Sequence, residues 1–211
     1  HLMFKGSPTI GAGECSRLVA AAGGRDNAFT SRDYTAYFQQ VPKEKLEQMM
    51  QLEADRMRHL TLDAREFEQE IKVVMEERRL RTEDQPQARL FEQMSAVALQ
   101  AHPYRVPVIG WMSDMESMTV EDARAWYDRW YVPNNAYVVV VGDVDHQEVF
   151  RLAEKYYGPL AARPVPGRKP QDEPPQTGIR RLTVKAPADL PVVLMAYKVP
   201  VLRDVDNDSD P

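Results

Sequence analysis

Over much of the chain, apolar residues recur three and four positions apart, the spacing of an amphipathic helix. Leu46, Met49, Met50, Met57 and Leu60 form such a stripe after Pro42. A second helix is predicted from about Asp63 to Arg81, with Asp63 as its N-cap. A third follows Pro86, with Leu90, Phe91, Met94, Val97 and Leu99 as candidate core positions. Thr119 starts a fourth, with Asp122 three residues on as a weak capping-box partner. Val149, Leu152, Ala153 and Tyr156 mark one more. Near the start, His1 to Phe4 reads as the tail of a helix closed by Gly6. Gly13 to Ala22 reads as a short helix, with Leu18, Val19 and Ala22 inward and Gly23-Gly24 as its stop.

Strand signals lie between these helices. Asn27 to Thr30 and Tyr34 to Val41 read as a pair of antiparallel strands joined by Ser31-Arg32-Asp33. Tyr137 to Val141 reads as a buried strand ending at Gly142. Ile179 to Ala186 and Val192 to Val199 read as two more. The stretch from Pro159 to Gly178 holds six prolines and is predicted to be an extended loop. Strands and helices do not alternate regularly. The fold class expected is therefore α+β, a mostly antiparallel sheet covered by helices.

Composition narrows the function classes. The 211 residues are 43% hydrophobic and 28% charged, a balance able to bury a core. The formal net charge of −5 argues against nucleic-acid binding driven by overall charge. No apolar run approaches the ~20 residues of a membrane span. One cysteine, Cys15, excludes an internal disulfide framework and a Cys-rich zinc knuckle. The chain has no phosphate-binding Gly-x-x-x-x-Gly-Lys-Ser/Thr loop and no Gly-x-Ser-x-Gly elbow. His59, His102 and His146 read as structural or surface residues, and Cys15 has no histidine near it in sequence.

The helix after Asp63 carries the most telling pattern. On a helical wheel Phe67, Ile71, Val74 and Arg78 cluster within about 60°. Glu70 and Glu77 fall together on the border of that stripe, while Glu76 faces water. Burying a carboxylate is costly unless it is paired or bound to metal. Seven residues separate the two, ~10 Å along the axis, too far for both to hold one ion directly. One could be a ligand and the other its orienting partner, and an edge pair bridged to Arg or Lys would satisfy the same pattern.

Several segments together resemble the pitrilysin/insulinase family of zinc metallopeptidases, which includes the mitochondrial processing peptidases. They are His1-Leu2-Met3-Phe4-Lys5-Gly6-Ser7, Asn27-Ala28-Phe29-Thr30-Ser31-Arg32-Asp33-Tyr34-Thr35-Ala36-Tyr37 and Glu70-Ile71-Lys72-Val73-Val74-Met75-Glu76-Glu77. His102-Pro103-Tyr104 with Gly110, and Tyr131-Val132-Pro133-Asn134-Asn135-Ala136 running to Val141-Gly142-Asp143-Val144, extend the likeness. The family's signature is an inverted zinc motif, His-x-x-Glu-His, on one helix. The resemblance implies that His1 is the second histidine and that Glu77 is the later glutamate ligand. It implies that Glu70 is an orienting acid outside the metal's own ligands. Asn27, Ala28 and Phe29 match the edge strand on which an extended substrate peptide pairs.

The first histidine and the general-base glutamate would lie just upstream of His1, so no catalytic residue is expected within this chain. The resemblance implies Zn2+ in an intact parent protein that cleaves extended peptides through a zinc-activated water. It implies none at this incomplete site, and an inactive fragment. The alternative is a non-catalytic scaffold or partner subunit that binds peptide or its sister subunit. Residues 1–200 are expected to form one α+β zinc-side domain, lacking its first strand and the start of its active-site helix. Residues 201–211 are expected to open a truncated following segment. The expected partners are an extended peptide and a second clamshell domain or subunit, with no nucleic acid and no membrane span. Many bacterial relatives are exported, which points the parent towards the periplasm or cell envelope.

Overall fold

The computed structural model describes residues 1–199. The chain divides into two compact units. The first comprises His1–Arg79 and Pro107–Pro170, and the second takes up Leu80–Val106 and the described residues 171–199. The expected segment 201–211 lies outside the described residues.

The first unit is α+β. Its strands, β1 (Arg25–Thr30) and β2 (Thr35–Gln40), pair antiparallel with Asn27 opposite Phe38 and Phe29 opposite Ala36. One face of this hairpin turns inward. There Ala28 and Tyr37 are half-buried, while Phe29 and Phe38 stay exposed on the other face. This is the period-2 alternation of a half-covered sheet.

Six helices belong to this unit: α1 (Glu14–Ala21), α2 (Leu46–His59), α3 (Ala64–Arg78), and then, numbered past α4 (Pro86–Ala98) of the second unit, α5 (Met112–Ser117), α6 (Val120–Trp130) and α7 (His146–Tyr157). Their starts follow local chemistry. The Asp63 side chain accepts hydrogen bonds from the Arg65 and Glu66 amides, and Asp145 accepts from that of Glu148. Thr119 and Asp122 complete a reciprocal capping box, so the shorter acid closes it after all.

Two apolar clusters hold the unit together. Met3, Leu62 and Tyr127 form one, with Leu2, Tyr37, Leu60, Val120 and Tyr131 packed around them. Val19, Met49 and Leu52 form the other, flanked by Ile10, Cys15, Leu18 and Val41. Met49 and Met50 of the α2 stripe are buried, where flexible thioethers fill irregular space, while Leu46, Met57 and Leu60 are partly covered. Tyr127 ties the first cluster to the backbone. Its hydroxyl accepts from the Leu60 N–H and donates to the Met57 carbonyl at 2.8 Å.

The second unit contains α4 (Pro86–Ala98) and residues 171–199. The Glu173 carboxylate accepts from three successive amides, Gln100, Ala101 and His102, just beyond the end of α4. Arg180 donates to the Val97 and Ala98 carbonyls, which the helix end leaves without intrahelical partners.

Four expectations are corrected. Tyr137–Val141, Ile179–Ala186 and Val192–Val199 are not paired as strands, and among the described residues β1 and β2 make the whole sheet. Tyr137 and Val141 are more than nine-tenths exposed rather than buried. These runs have strand composition, but a strand needs a hydrogen-bonded neighbour, and composition does not supply one. Phe91, expected in the core, is half exposed. The short helix α5 was not foreseen, because six residues are too few to display a helical period.

Candidate functional site

The chain opens with a single 3-10 turn, Leu2–Phe4, with His1 at its N-terminal end. Met3 anchors the turn in the first core cluster, and the Phe4 ring leans on Tyr37 of β2. The turn ends where Gly6 adopts a positive φ of 96°. A Cβ at Gly6 would lie 2.3 Å from the Ile10 carbonyl oxygen, so only glycine lets the chain reverse there. Beyond the turn, Ser7 and Thr9 both hydrogen-bond Asp55 of α2, and the Thr61 N–H donates to the Gly6 carbonyl. Burial works to raise the Asp55 pKa, and the hydrogen bonds from Ser7, Thr9 and His59 outweigh it, leaving the group below its ordinary value.

This anchoring sets His1 against α3. Its Nδ1 is 2.7 Å from Glu70 Oε1, and its Nε2 is 3.2 Å from Glu77 Oε2. The wheel placement of α3 holds in space. Phe67 and Arg78 are buried, Glu70 and Glu77 lie partly covered at the edge, and Glu76 faces solvent, where it pairs with Arg79. The other Glu70 oxygen is 2.7 Å from Lys5 Nζ, which also reaches Glu66 at 3.3 Å. Partial burial raises the Glu70 pKa, but hydrogen bonds and charge from Lys5 and His1 more than offset it and hold the carboxyl below its usual range. The same Glu70 contact pushes the Lys5 ammonium up. Lys5 and Glu66 are the members of this cluster that pattern reasoning missed. A lysine in a non-helical turn carries no periodic signal, although Lys5 belongs to the opening segment that resembles the family.

Tetrahedral zinc holds N and O donors at ~2.0–2.2 Å, which puts neighbouring donors about 3.3–3.5 Å apart. The 3.2 Å separation of His1 Nε2 and Glu77 Oε2 suits two corners of such a site. An imidazole that binds metal through one nitrogen usually gives the other to a carboxylate, as Nδ1 does to Glu70 here. Among the described residues, no three His, Cys, Asp or Glu side chains are grouped to hold a metal ion.

The β1 segment Asn27–Phe29 lies on a strand whose sole partner is β2, so its far edge has no strand beside it among the described residues. The Ala28 N–H is occupied locally by the Asn27 side-chain oxygen at 2.8 Å. Phe29 forms an exposed aromatic group with Tyr34 and Phe38.

The remaining histidines and the cysteine play local parts. His59 pairs with Asp55 at the end of α2, and His102 Nδ1 accepts from the Tyr104 N–H. His146 opens α7. Burial raises the Cys15 thiol above its ordinary value, which works against a reactive thiolate. A groove of about 460 Å3 beside α3 is lined by apolar Phe67, Ile71, Met75, Met115 and Met118 together with charged Glu68, Lys72 and Glu116, and it includes neither His1 nor Glu77.

Comparison with known proteins decides the family. The model of the family described as insulinase (peptidase family M16) matches residues 1–110, and that of the peptidase M16 inactive domain matches residues 117–210. The chain belongs to the insulinase family of peptidases. It is 38% identical over 212 aligned positions to the zinc protease PqqE of Helicobacter pylori, covering 98% of this chain and 47% of that protein. Among solved structures, a protease from Helicobacter pylori superposes with a TM-score of 0.78 at 36% identity, over 82% of this chain and 42% of that one. The first half of the periplasmic protease PqqL from Escherichia coli gives 0.73 at 26% identity, over 82% and 38%. The chain therefore spans about half the length of the curated relative. The α+β class agrees with these structural neighbours, and no helix among the described residues is long and apolar enough to cross a membrane.

Proposed function

We propose that the protein carrying this chain is a zinc metalloendopeptidase that cleaves extended peptides, and that the chain is part of its zinc-side half. The observation that carries the reading is the His1 imidazole held between two carboxylates of α3, with Nε2 at ligand spacing from Glu77. In this reading His1 and Glu77 are metal ligands. Glu70 orients the imidazole by accepting from Nδ1. When bound, zinc supplies Lewis acidity and lowers the pKa of a water. A further histidine and a glutamate general base come from residues preceding His1. Two protein donors fall short of the three that catalytic zinc sites use, so the 211-residue chain alone is inactive and holds zinc weakly.

Asn27, Ala28 and Phe29 present the strand edge to substrate. An extended peptide joins β1 through main-chain hydrogen bonds, and its Ala28 contact displaces the Asn27 side-chain oxygen. A second clamshell domain or a partner subunit closes over the site. A second reading is a non-catalytic subunit of the same family that binds peptide or its sister subunit, which would use the open edge of β1 without a metal. The experiment that separates the two measures zinc content and cleavage of an unstructured peptide by the full-length protein. His1→Ala and Glu77→Gln serve as controls. Zinc at one per chain, lost in both variants along with cleavage, supports the protease. A folded protein with no zinc at these residues supports the scaffold.

A further inference from the structure

Lys5 has no role in the reading above, yet it makes the closest ammonium contact to the site. Its Nζ lies 2.7 Å from Glu70 Oε2, while His1 Nδ1 lies 2.7 Å from Oε1 of the same carboxylate. One carboxylate is therefore shared between a lysine and the imidazole, each on its own oxygen. The Lys5 side chain is only a quarter exposed and that of Glu70 about half as much. Most surface lysines are mobile and their ion pairs contribute little. Lys5 differs because both ends of its stem are held. Its backbone closes the 3-10 turn through a 2.9 Å bond to the Leu2 carbonyl, and its ammonium is shared between Glu66 and Glu70 on successive turns of α3.

A glutamate has freely rotating side-chain bonds, and a single hydrogen bond to His1 would leave its carboxylate plane unset. A second donor on the other oxygen fixes that plane. We infer that Lys5 is a positioning residue for the metal centre: by holding Oε2 of Glu70 it aims Oε1 at His1 Nδ1 and so sets the direction of Nε2. Outer partners of metal-binding histidines commonly affect affinity by about 10–100-fold. Lys5 stands one contact further out and works only through Glu70. The inference rests on the zinc reading of the site.

The test is zinc affinity of the full-length protein, measured by competition with a chromophoric chelator. Lys5→Met weakens binding by about tenfold, and Lys5→Arg, which still donates to a carboxylate, restores most of it. In a Glu70→Gln background, Lys5→Met has no further effect, because the residue it acts through is already changed. Glu76→Gln, on the solvent face of α3, leaves the affinity at the parent value. If Lys5→Met does not fold, Lys5→Gln replaces it in the same comparisons. The inference is overturned if the folded lysine variant binds zinc as the parent does. It is equally overturned if that variant loses as much affinity in the Glu70→Gln background as without it. Should the parent protein bind no zinc that His1→Ala removes, the reading of the site fails and this inference fails with it. Should His1→Ala remove zinc while Lys5→Met does not, only the inference fails.

Discussion

The Glu70 carboxylate accepts a hydrogen bond from His1 Nδ1 at 2.7 Å, although the two residues lie 69 positions apart. Nothing between them in sequence enforces that meeting. It depends on Met3 seated in the core, on the reversal at Gly6, and on α3 presenting its edge to the opening turn. In the proposed site this contact orients a metal ligand. Glu70→Gln is therefore expected to weaken zinc binding by the full-length protein about 10–100-fold while leaving the fold intact. Chelator competition and a circular-dichroism melt check the two halves of that statement.

The turn that delivers His1 tolerates no side chain at position 6. Gly6→Ala combines a positive φ with a Cβ driven into the Ile10 carbonyl, and it is expected to cost about 1–3 kcal/mol. Denaturant titration measures the loss. The same variant should also loosen zinc binding, since the strain is relieved by moving the segment that carries His1.

Substrate pairing on β1 predicts a separate phenotype. Ala28→Pro removes an edge N–H that takes no part in a second strand pair, and proline is tolerated at sheet edges. The variant should fold. It should raise KM for an extended peptide about tenfold, the cost of one main-chain hydrogen bond, with a smaller change in kcat. An unchanged KM would remove β1 from the substrate path.

Tyr127 offers a test confined to stability. Its hydroxyl bridges the Leu60 N–H and the carbonyl of Met57, inside the cluster that seats Met3. Tyr127→Phe leaves these backbone groups short of a partner, at an expected cost of about 1–3 kcal/mol by denaturant titration.

In the second unit the acid response is fixed by Glu173. Hydrogen bonds from the His102 and Gln100 amides, Lys198 and the Ala101 amide pull its pKa far below the ordinary carboxylate value. A group whose folded pKa is depressed stabilises fully above its unfolded pKa of about 4.3, and that contribution drains away as pH falls towards the folded value. Protection of the Gln100, Ala101 and His102 amides against hydrogen exchange should therefore fall below about pH 4. Glu173→Gln should lower that protection at neutral pH and flatten its acid dependence.

What could be read from sequence was what is local. Helix starts at Asp63 and Thr119 depend on residues within one turn, and each side chain caps as its type predicts. The hairpin of β1 and β2 was legible because its partners are near neighbours. Tyr137–Val141 and the runs after Ile179 have the composition of strands, and pairing is a long-range property that composition does not contain. At the site, the wheel placed Glu70 and Glu77 on the border of α3 because their helical phase is local. That His1 meets them came from resemblance, not from periodicity. Lys5 stayed hidden because its partner lies 65 residues away on another element.

The most direct measurement is the zinc coordination shell of the full-length protein, by anomalous diffraction at the zinc edge. One zinc is expected, ligated by His1 Nε2 and a Glu77 oxygen, with Glu70 on Nδ1 but off the metal. Zinc bound elsewhere, or a folded, zinc-loaded protein with His1 and Glu77 both uncoordinated, would contradict it.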